Sequence, residues 1–207
     1  MSLPDTRPLV YLISDGTFDP KAARSITAFA DQMTRAAEAG VDLIQIREKH
    51  LTARELFELT APVVGALQGS RARVLVNSRA DVAAAAGADG VHLTSSGLPA
   101  SAIRRAFPEL IIAVSTHKAD ELAAARDAGA DMAVFGPVFA TPGKGNGVGV
   151  SGLSEAVREA AEMPVIALGG ITRENYLEAI AAGAAGFAAI RGLNDPGWVA
   201  EIERESE

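Results

Sequence analysis

The chain has 207 residues, 48% hydrophobic and 22% charged, which is enough for one sizeable core of ordinary globular composition. Its formal net charge of −7 argues against a nucleic-acid surface but leaves room for a small basic pocket that would hold an anionic metabolite. No cysteine is present, which excludes a disulfide framework and a thiolate site.

The first eight residues hold no apolar stretch of the kind a signal peptide needs, and no run approaches the length of a bilayer span. A soluble, cytoplasmic protein with no membrane partner is expected. Short aliphatic and β-branched runs then recur at Leu9–Ser14, Leu43–Arg47, Val74–Asn77, Gly90–Leu93, Ile111–Ser115, Met132–Phe135, Val165–Leu168 and Gly186–Ile190. Amphipathic, Ala-rich stretches separate them, among them Thr27–Ala39, Ala53–Leu67, Ala119–Ala128 and Glu174–Ala182. Four hand-offs from helix to strand share one punctuation: Ala39-Gly40-Val41-Asp42, Ala86-Gly87-Ala88-Asp89, Ala128-Gly129-Ala130-Asp131 and Ala182-Gly183-Ala184-Ala185. Glycine closes a helix in the left-handed conformation at little steric cost, and the apolar run after it must be buried. These glycines stand about 40–55 residues apart, too far for one strand–helix unit and suited to two, so about eight units are implied.

Strict alternation of doubly apolar strands with helices gives a parallel sheet covered by helices. Eight units favour closure into a single-domain α/β fold over residues 1–207, a (β/α)8 TIM barrel, with an open doubly wound sheet as the competing topology. No linker divides the chain, and Gly136–Gly152 is its only low-complexity stretch. In such a barrel, chemistry sits just after the C-terminal ends of the strands.

After the second strand comes Gln45-Ile46-Arg47-Glu48-Lys49-His50, in which Gln45 and Arg47 point inward if Ile44 and Ile46 pack outward. Arg47 and Lys49 together suit a phosphate or diphosphate, the alternative being a solvated charged turn. The third strand ends in Asn77-Ser78-Arg79, the fourth in His92-Leu93-Thr94-Ser95-Ser96 and the fifth in Ser115-Thr116-His117-Lys118. Asn77 and Ser115 read equally as ligand contacts and as turn or helix-capping residues. His92 reads better as a structural residue than as a proton carrier, whereas His117 suits either role. The long connection that starts at Gly136 has glycines that would let backbone amides approach an anion, with Thr141 and Lys144 adding a hydroxyl and a cation, unless it is merely a flexible insertion. Gly169-Gly170 after the seventh strand, and Ile190-Arg191-Gly192 after the eighth, occupy the usual position for a phosphate in a barrel.

In this order the segments resemble the thiamine phosphate synthase and thiazole tautomerase superfamily over nearly the whole chain. Gln45-Ile46-Arg47-Glu48-Lys49 is similar to the family's Gln-Leu-Arg-Glu-Lys, and Gly87-Ala88-Asp89-Gly90-Val91-His92 to its Gly-Ala-Asp-Gly-Val-His. Val114-Ser115-Thr116-His117, the run from Phe135 to Thr141 and Ala167-Leu168-Gly169-Gly170-Ile171 continue the series. The resemblance implies a barrel of thiamine biosynthesis whose partner is a phosphorylated thiazole. In the synthase, a hydroxymethylpyrimidine diphosphate is joined to the thiazole phosphate and diphosphate is released. Arg47, Lys49, Asn77 and Lys144 would then face the diphosphate and Gln45 the pyrimidine, with Thr141, Gly169, Gly170, Ile190 and Arg191 around the thiazole phosphate and Ser115 as a further substrate contact.

Three positions depart from the synthase pattern. Its two Mg²⁺-holding aspartates, after the third and fourth strands, are Ser78 and Gly97 here, and Gly143 stands where its motif has Thr. A Ser and a Gly cannot replace two anionic oxygen ligands. The pattern is thus closer to the TenI-like tautomerase branch, which isomerises a carboxythiazole phosphate by proton transfer without a metal. No cofactor is then expected, Mg²⁺ entering only with the synthase reading. That branch often carries a His where this chain has Pro137, so His117 becomes the candidate acid/base. A non-catalytic, regulatory binder of thiazole phosphate is the third reading. The sequence leaves the oligomeric state open, a homo-oligomer included.

Overall fold

A computed structural model of the chain describes residues 7–22, 25–141, 143, 145–190, 193 and 196–205. Strands and helices alternate throughout: β1 (Leu9–Ile13), α1 (Ser25–Glu38), β2 (Leu43–Ile46), α2 (Ala53–Ala66), β3 (Arg73–Asn77), α3 (Ala80–Ala86), β4 (Gly90–Leu93) and α4 (Ala100–Ala106) form the first half. The second half repeats the plan with β5 (Ile111–Thr116), α5 (Ala119–Asp127), β6 (Met132–Phe135), α6 (Gly149–Ala160), β7 (Val165–Leu168), α7 (Tyr176–Ala181), β8 (Gly186–Ala189) and α8 (Pro196–Glu205). Each strand pairs in parallel with the next and β8 returns to β1, so the sheet closes into a barrel and the open alternative is excluded.

The two-residue period of the strands sorts their side chains into two cores. Val10, Leu12, Ile44, Ile46, Val74 and Val76 lie between strands and helices, whereas Leu9, Tyr11, Ile13, Leu43, Leu75, Met132, Val134 and Ile166 fill the barrel. Two strands begin with glycine where the neighbouring strand approaches too closely for a side chain. A Cβ at Gly90 would stand 2.3 Å from the Ile111 carbonyl oxygen, and one at Gly186 2.2 Å from that of Leu9.

The repeated punctuation does two jobs. Gly40, Gly87, Gly129 and Gly183 all take positive φ, from +72° to +115°, and so terminate their helices as anticipated. The Asp that follows in three of the four repeats clasps neighbouring strands at the end of the barrel where they begin. Asp42 accepts from the Val10 amide at 2.9 Å, Asp89 from Val74 at 2.8 Å and Asp131 from Ile112 at 2.7 Å. Each also pairs with an arginine, Arg7, Arg73 and Arg104 in turn. The fourth repeat has Ala185 instead, whose amide donates to the Val165 carbonyl, and this quarter is packed by the rings of Tyr176, Phe187 and Trp198.

Boundaries differ from expectation by a residue or two. The strands anticipated at Leu9–Ser14, Leu43–Arg47 and Gly186–Ile190 each end one residue sooner, β3 begins at Arg73, and β5 continues to Thr116. Ser14 lies just past β1, where its amide still donates to the Gln45 carbonyl at 2.9 Å while its hydroxyl is bonded to the Glu48 carboxylate. The low-complexity stretch is also shorter as a loop, since α6 takes over from Gly149. Among the described residues, no helix is long and apolar enough to cross a membrane.

Candidate active site at the barrel mouth

The C-terminal ends of the strands surround a cavity of about 310 Å³. Ile13, Val134 and Leu168 make its floor apolar. One wall carries Gln45, Arg47 and Lys49 from the end of β2, with Asn77 from β3. Next come His92, Thr94 and Ser95 from β4, then Ser115 and His117 from β5. Gly136, Pro137, Thr141, Gly169 and Ile190 complete the ring from the β6, β7 and β8 side.

The cationic wall is held by a buried acid. The Glu48 side chain accepts from the Ser14 hydroxyl at 2.6 Å and from the amides of Phe18 at 3.0 Å and Gly16 at 3.2 Å. Ser14 Oγ in turn accepts from the Arg47 amide at 2.8 Å, so the first loop and the end of β2 are tied together behind Arg47. Gln45 is buried beside it, with Nε2 3.5 Å from Asn77 Oδ1, and the Asn77 amide donates to Ser78 Oγ at 3.1 Å. Ser78 sits at φ +60°, an uncommon conformation for a residue with a Cβ and one that collects at functional sites.

The two histidines at the mouth have different partners. His92 is buried between the Tyr11 hydroxyl, 3.0 Å from Nδ1, and Ser115 Oγ, 2.9 Å from Nε2. Burial, assisted by the positive charge of Arg47, lowers its pKa to about 3, so it is a neutral structural residue and not a proton carrier near pH 7. His117 has its Nδ1 2.5 Å from the Gly136 carbonyl oxygen. A carbonyl can only accept, so Nδ1 carries the proton and a neutral His117 keeps its lone pair on Nε2. Glu121 fixes the backbone there by accepting from the His117 amide at 2.6 Å.

The described residues of the connection after β6 are laid on β7. Val138 and Phe139 donate to the carbonyls of Leu168 and Gly169 at 2.8 and 2.9 Å, Thr141 donates to Gly145, and Gly149 closes back on Val138. This contact explains the glycine pair. At φ +96° a Cβ on Gly169 would stand 2.6 Å from Pro137, and one on Gly170, at φ +65°, 2.5 Å from the Ala140 oxygen.

The structure therefore gathers Gln45, Arg47, Lys49, Asn77, Ser115, His117, Thr141, Gly169 and Ile190 around one cavity. Gly170 is held under the connection after β6 and is not part of the cavity wall. Lys144 and Arg191 lie outside the described residues. Thr94 and Ser95 join the wall without having been singled out, and Glu48, to which the sequence assigns no role between Arg47 and Lys49, is an anchor. Nothing within its own segment marks Glu48 as buried, because its partners are about 30 residues away.

Comparison with known proteins identifies the family. A family model described as thiamine monophosphate synthase matches residues 10–193. The chain belongs to the thiamine monophosphate synthase family. It is 45% identical over 188 residues to a putative thiamine-phosphate synthase of Geobacter sulfurreducens, covering 89% of this chain and 85% of that one. A thiamine-phosphate synthase of Chlorobium luteolum is 40% identical over 187 residues, with 88% and 84% covered. A solved thiamine phosphate pyrophosphorylase from Pyrococcus furiosus superposes with a TM-score of 0.81 at 29% identity, over 97% of this chain and 98% of that one.

This member of the family lacks one part of the site that its resemblance to the synthase implies. At the two aspartate positions, Ser78 offers a hydroxyl already bonded to Asn77, and Gly97 offers no side chain. Among the described residues, no group of three or more His, Cys, Asp or Glu side chains is placed to hold a metal ion. Asp81, the nearest acid along the chain, is engaged by the Arg79 guanidinium at 2.6 and 2.8 Å, a contact that lowers its pKa. The donor set present does not fit a carboxylate-held magnesium ion.

Proposed function

We propose that this chain is an enzyme of thiamine biosynthesis that joins a pyrimidine diphosphate to a thiazole phosphate at the barrel mouth. The names and identities of its relatives support that reading over a tautomerase. One geometric observation carries it: the cavity has two opposed walls suited to anions. Arg47 and Lys49 stand on the β2 side, while Thr141, Gly169 and Ile190 stand on the β6 to β8 side. An isomerase acting on one phosphate needs one such wall, and a condensation of two phosphorylated heterocycles needs two.

The thiazole ring nitrogen attacks the exocyclic methylene carbon of the pyrimidine, and the bond from that carbon to the diphosphate oxygen breaks. Diphosphate leaves with the bonding electrons. Arg47 supplies a guanidinium fork and Lys49 a point charge to this leaving group, and Gln45 and Asn77 offer amides to the pyrimidine. Gly169 leaves its backbone open to the thiazole phosphate, and Thr141 adds a hydroxyl. Supplying both substrates should give thiamine phosphate and diphosphate in equal amounts. Arg47→Ala should lower kcat/KM roughly 100-fold or more, on the order of 3 kcal/mol of transition-state stabilisation. Absence of condensation by the parent chain, with and without added Mg²⁺, would overturn the reading.

A second reading is favoured by Ser78, Gly97 and the base-ready Nε2 of His117, namely isomerisation of a carboxythiazole phosphate. It predicts turnover of that compound alone, with no pyrimidine present. His117→Gln should then reduce turnover at least 100-fold while leaving thiazole phosphate binding nearly intact.

A further inference from the structure

Three polar side chains form a continuous chain across the barrel interior. Tyr11 of β1 is completely buried, with its hydroxyl 3.0 Å from His92 Nδ1, and His92 Nε2 is 2.9 Å from Ser115 Oγ at the cavity wall. The Tyr11 and His92 rings also stack, with centroids 5.8 Å apart and planes inclined by 28°.

Two proton arrangements are compatible with a neutral His92. In the first, Tyr11 donates its O–H to Nδ1 and His92 carries its proton on Nε2, which donates to Ser115 Oγ. The Ser115 proton is then left over and turns toward the cavity. In the second, Nδ1–H donates to the Tyr11 oxygen and Ser115 donates to Nε2, so Ser115 can only accept from a ligand. The second arrangement strands the phenolic proton, because the described hydrogen bonds give Tyr11 no partner other than His92. A buried hydroxyl proton without an acceptor is costly, and burial also raises the Tyr11 pKa, so the phenol does not shed that proton. A doubly protonated His92 is disfavoured by the same burial.

We propose that Tyr11 and His92 are a buried relay that locks His92 in its Nε2–H tautomer and thereby makes Ser115 an obligatory hydrogen-bond donor to the bound ligand. Ser115 thus selects for an acceptor atom, a phosphate oxygen or an unprotonated ring nitrogen, at that point of the cavity. Tyr11 acts through the other two and is a positioning residue. The inference deepens the function proposed above and rests on it only for the identity of the ligand.

The relay is tested first without any ligand. The chain has three histidines, so ¹⁵N spectra of the imidazole rings resolve each of them. His92 should show a protonated Nε2 and an unprotonated Nδ1 throughout pH 5–8, and Tyr11→Phe should convert it to a mixture of tautomers. An Nδ1–H signal or an imidazolium signal in the parent protein overturns the proposal, whether or not the variant folds. The second arm measures thiazole phosphate binding by calorimetry. Tyr11→Phe should raise Kd about tenfold, and that effect should vanish in a Ser115→Ala background. Additive effects would refute the link from Tyr11 to Ser115. If the parent chain fails to bind thiazole phosphate at all, the functional reading fails while the spectra still decide the relay.

Discussion

His92 couples the candidate site to pH through stability. Its pKa of about 3 lies below the ordinary value of 6.5, so between those values the unfolded chain binds a proton that the folded barrel refuses. Stability therefore falls as the pH drops from 6.5 toward 3, and at pH 5 this residue alone accounts for a loss of about 2 kcal/mol. Denaturant titrations at pH 7.5 and pH 5 should show the difference, and His92→Gln should flatten that part of the profile. Residues of this kind are only half legible in sequence. Alternation with Leu43, Ile44 and Ile46 is enough to turn Gln45 and Arg47 inward, because a period of two leaves no other face. The neutrality of His92 and the burial of Glu48 depend on Tyr11, Ser14 and Phe18, which are distant along the chain and become neighbours only when the ring closes.

Among elements, the connection after β6 is the part whose shape no sequence periodicity announces. Its glycines and prolines signal irregular backbone, but its path is set by the carbonyls of Leu168 and Gly169, which it borrows from β7. Gly169 is consequently constrained twice, by φ +96° and by the Pro137 ring 2.6 Å from where its Cβ would be. Gly169→Ala should cost about 1–3 kcal/mol from backbone strain, with the clash adding to it, and should displace the cavity wall. Gly69, at φ +82° with open space around it, is the control. Gly69→Ala should lower Tm less and leave ligand binding unchanged. Helices, by contrast, were readable from their ends, since a left-handed glycine before an apolar run leaves little else for the chain to do.

For the molecule as a whole, the four-fold punctuation implied eight strand–helix units, and the closed ring contains them. What the punctuation did not disclose is that its aspartates serve the fold. Asp42, with Val10, Arg7 and Arg71 around it, is the most enclosed of the three. Asp42→Ala should lower stability by about 2–3 kcal/mol while leaving kcat and KM within a factor of two, as thermal melts and steady-state assays would show. The opposite rim carries none of these clasps, and it is there that Ser78 and Gly97 stand. Installing both carboxylates by Ser78→Asp and Gly97→Asp should keep the barrel folded and give a rise in Tm on adding Mg²⁺ larger than that of the parent chain.

The aspartate clasps and the positions of Ser78 and Gly97 therefore lie at opposite ends of the barrel. The three aspartates that clasp neighbouring strands sit beneath them, so Ser78 and Gly97 at the mouth can change without touching those clasps. Ser78 and Gly97 both lie in loops at the mouth, outside the strand registers, so exchanging their side chains leaves the pairing of the ring untouched.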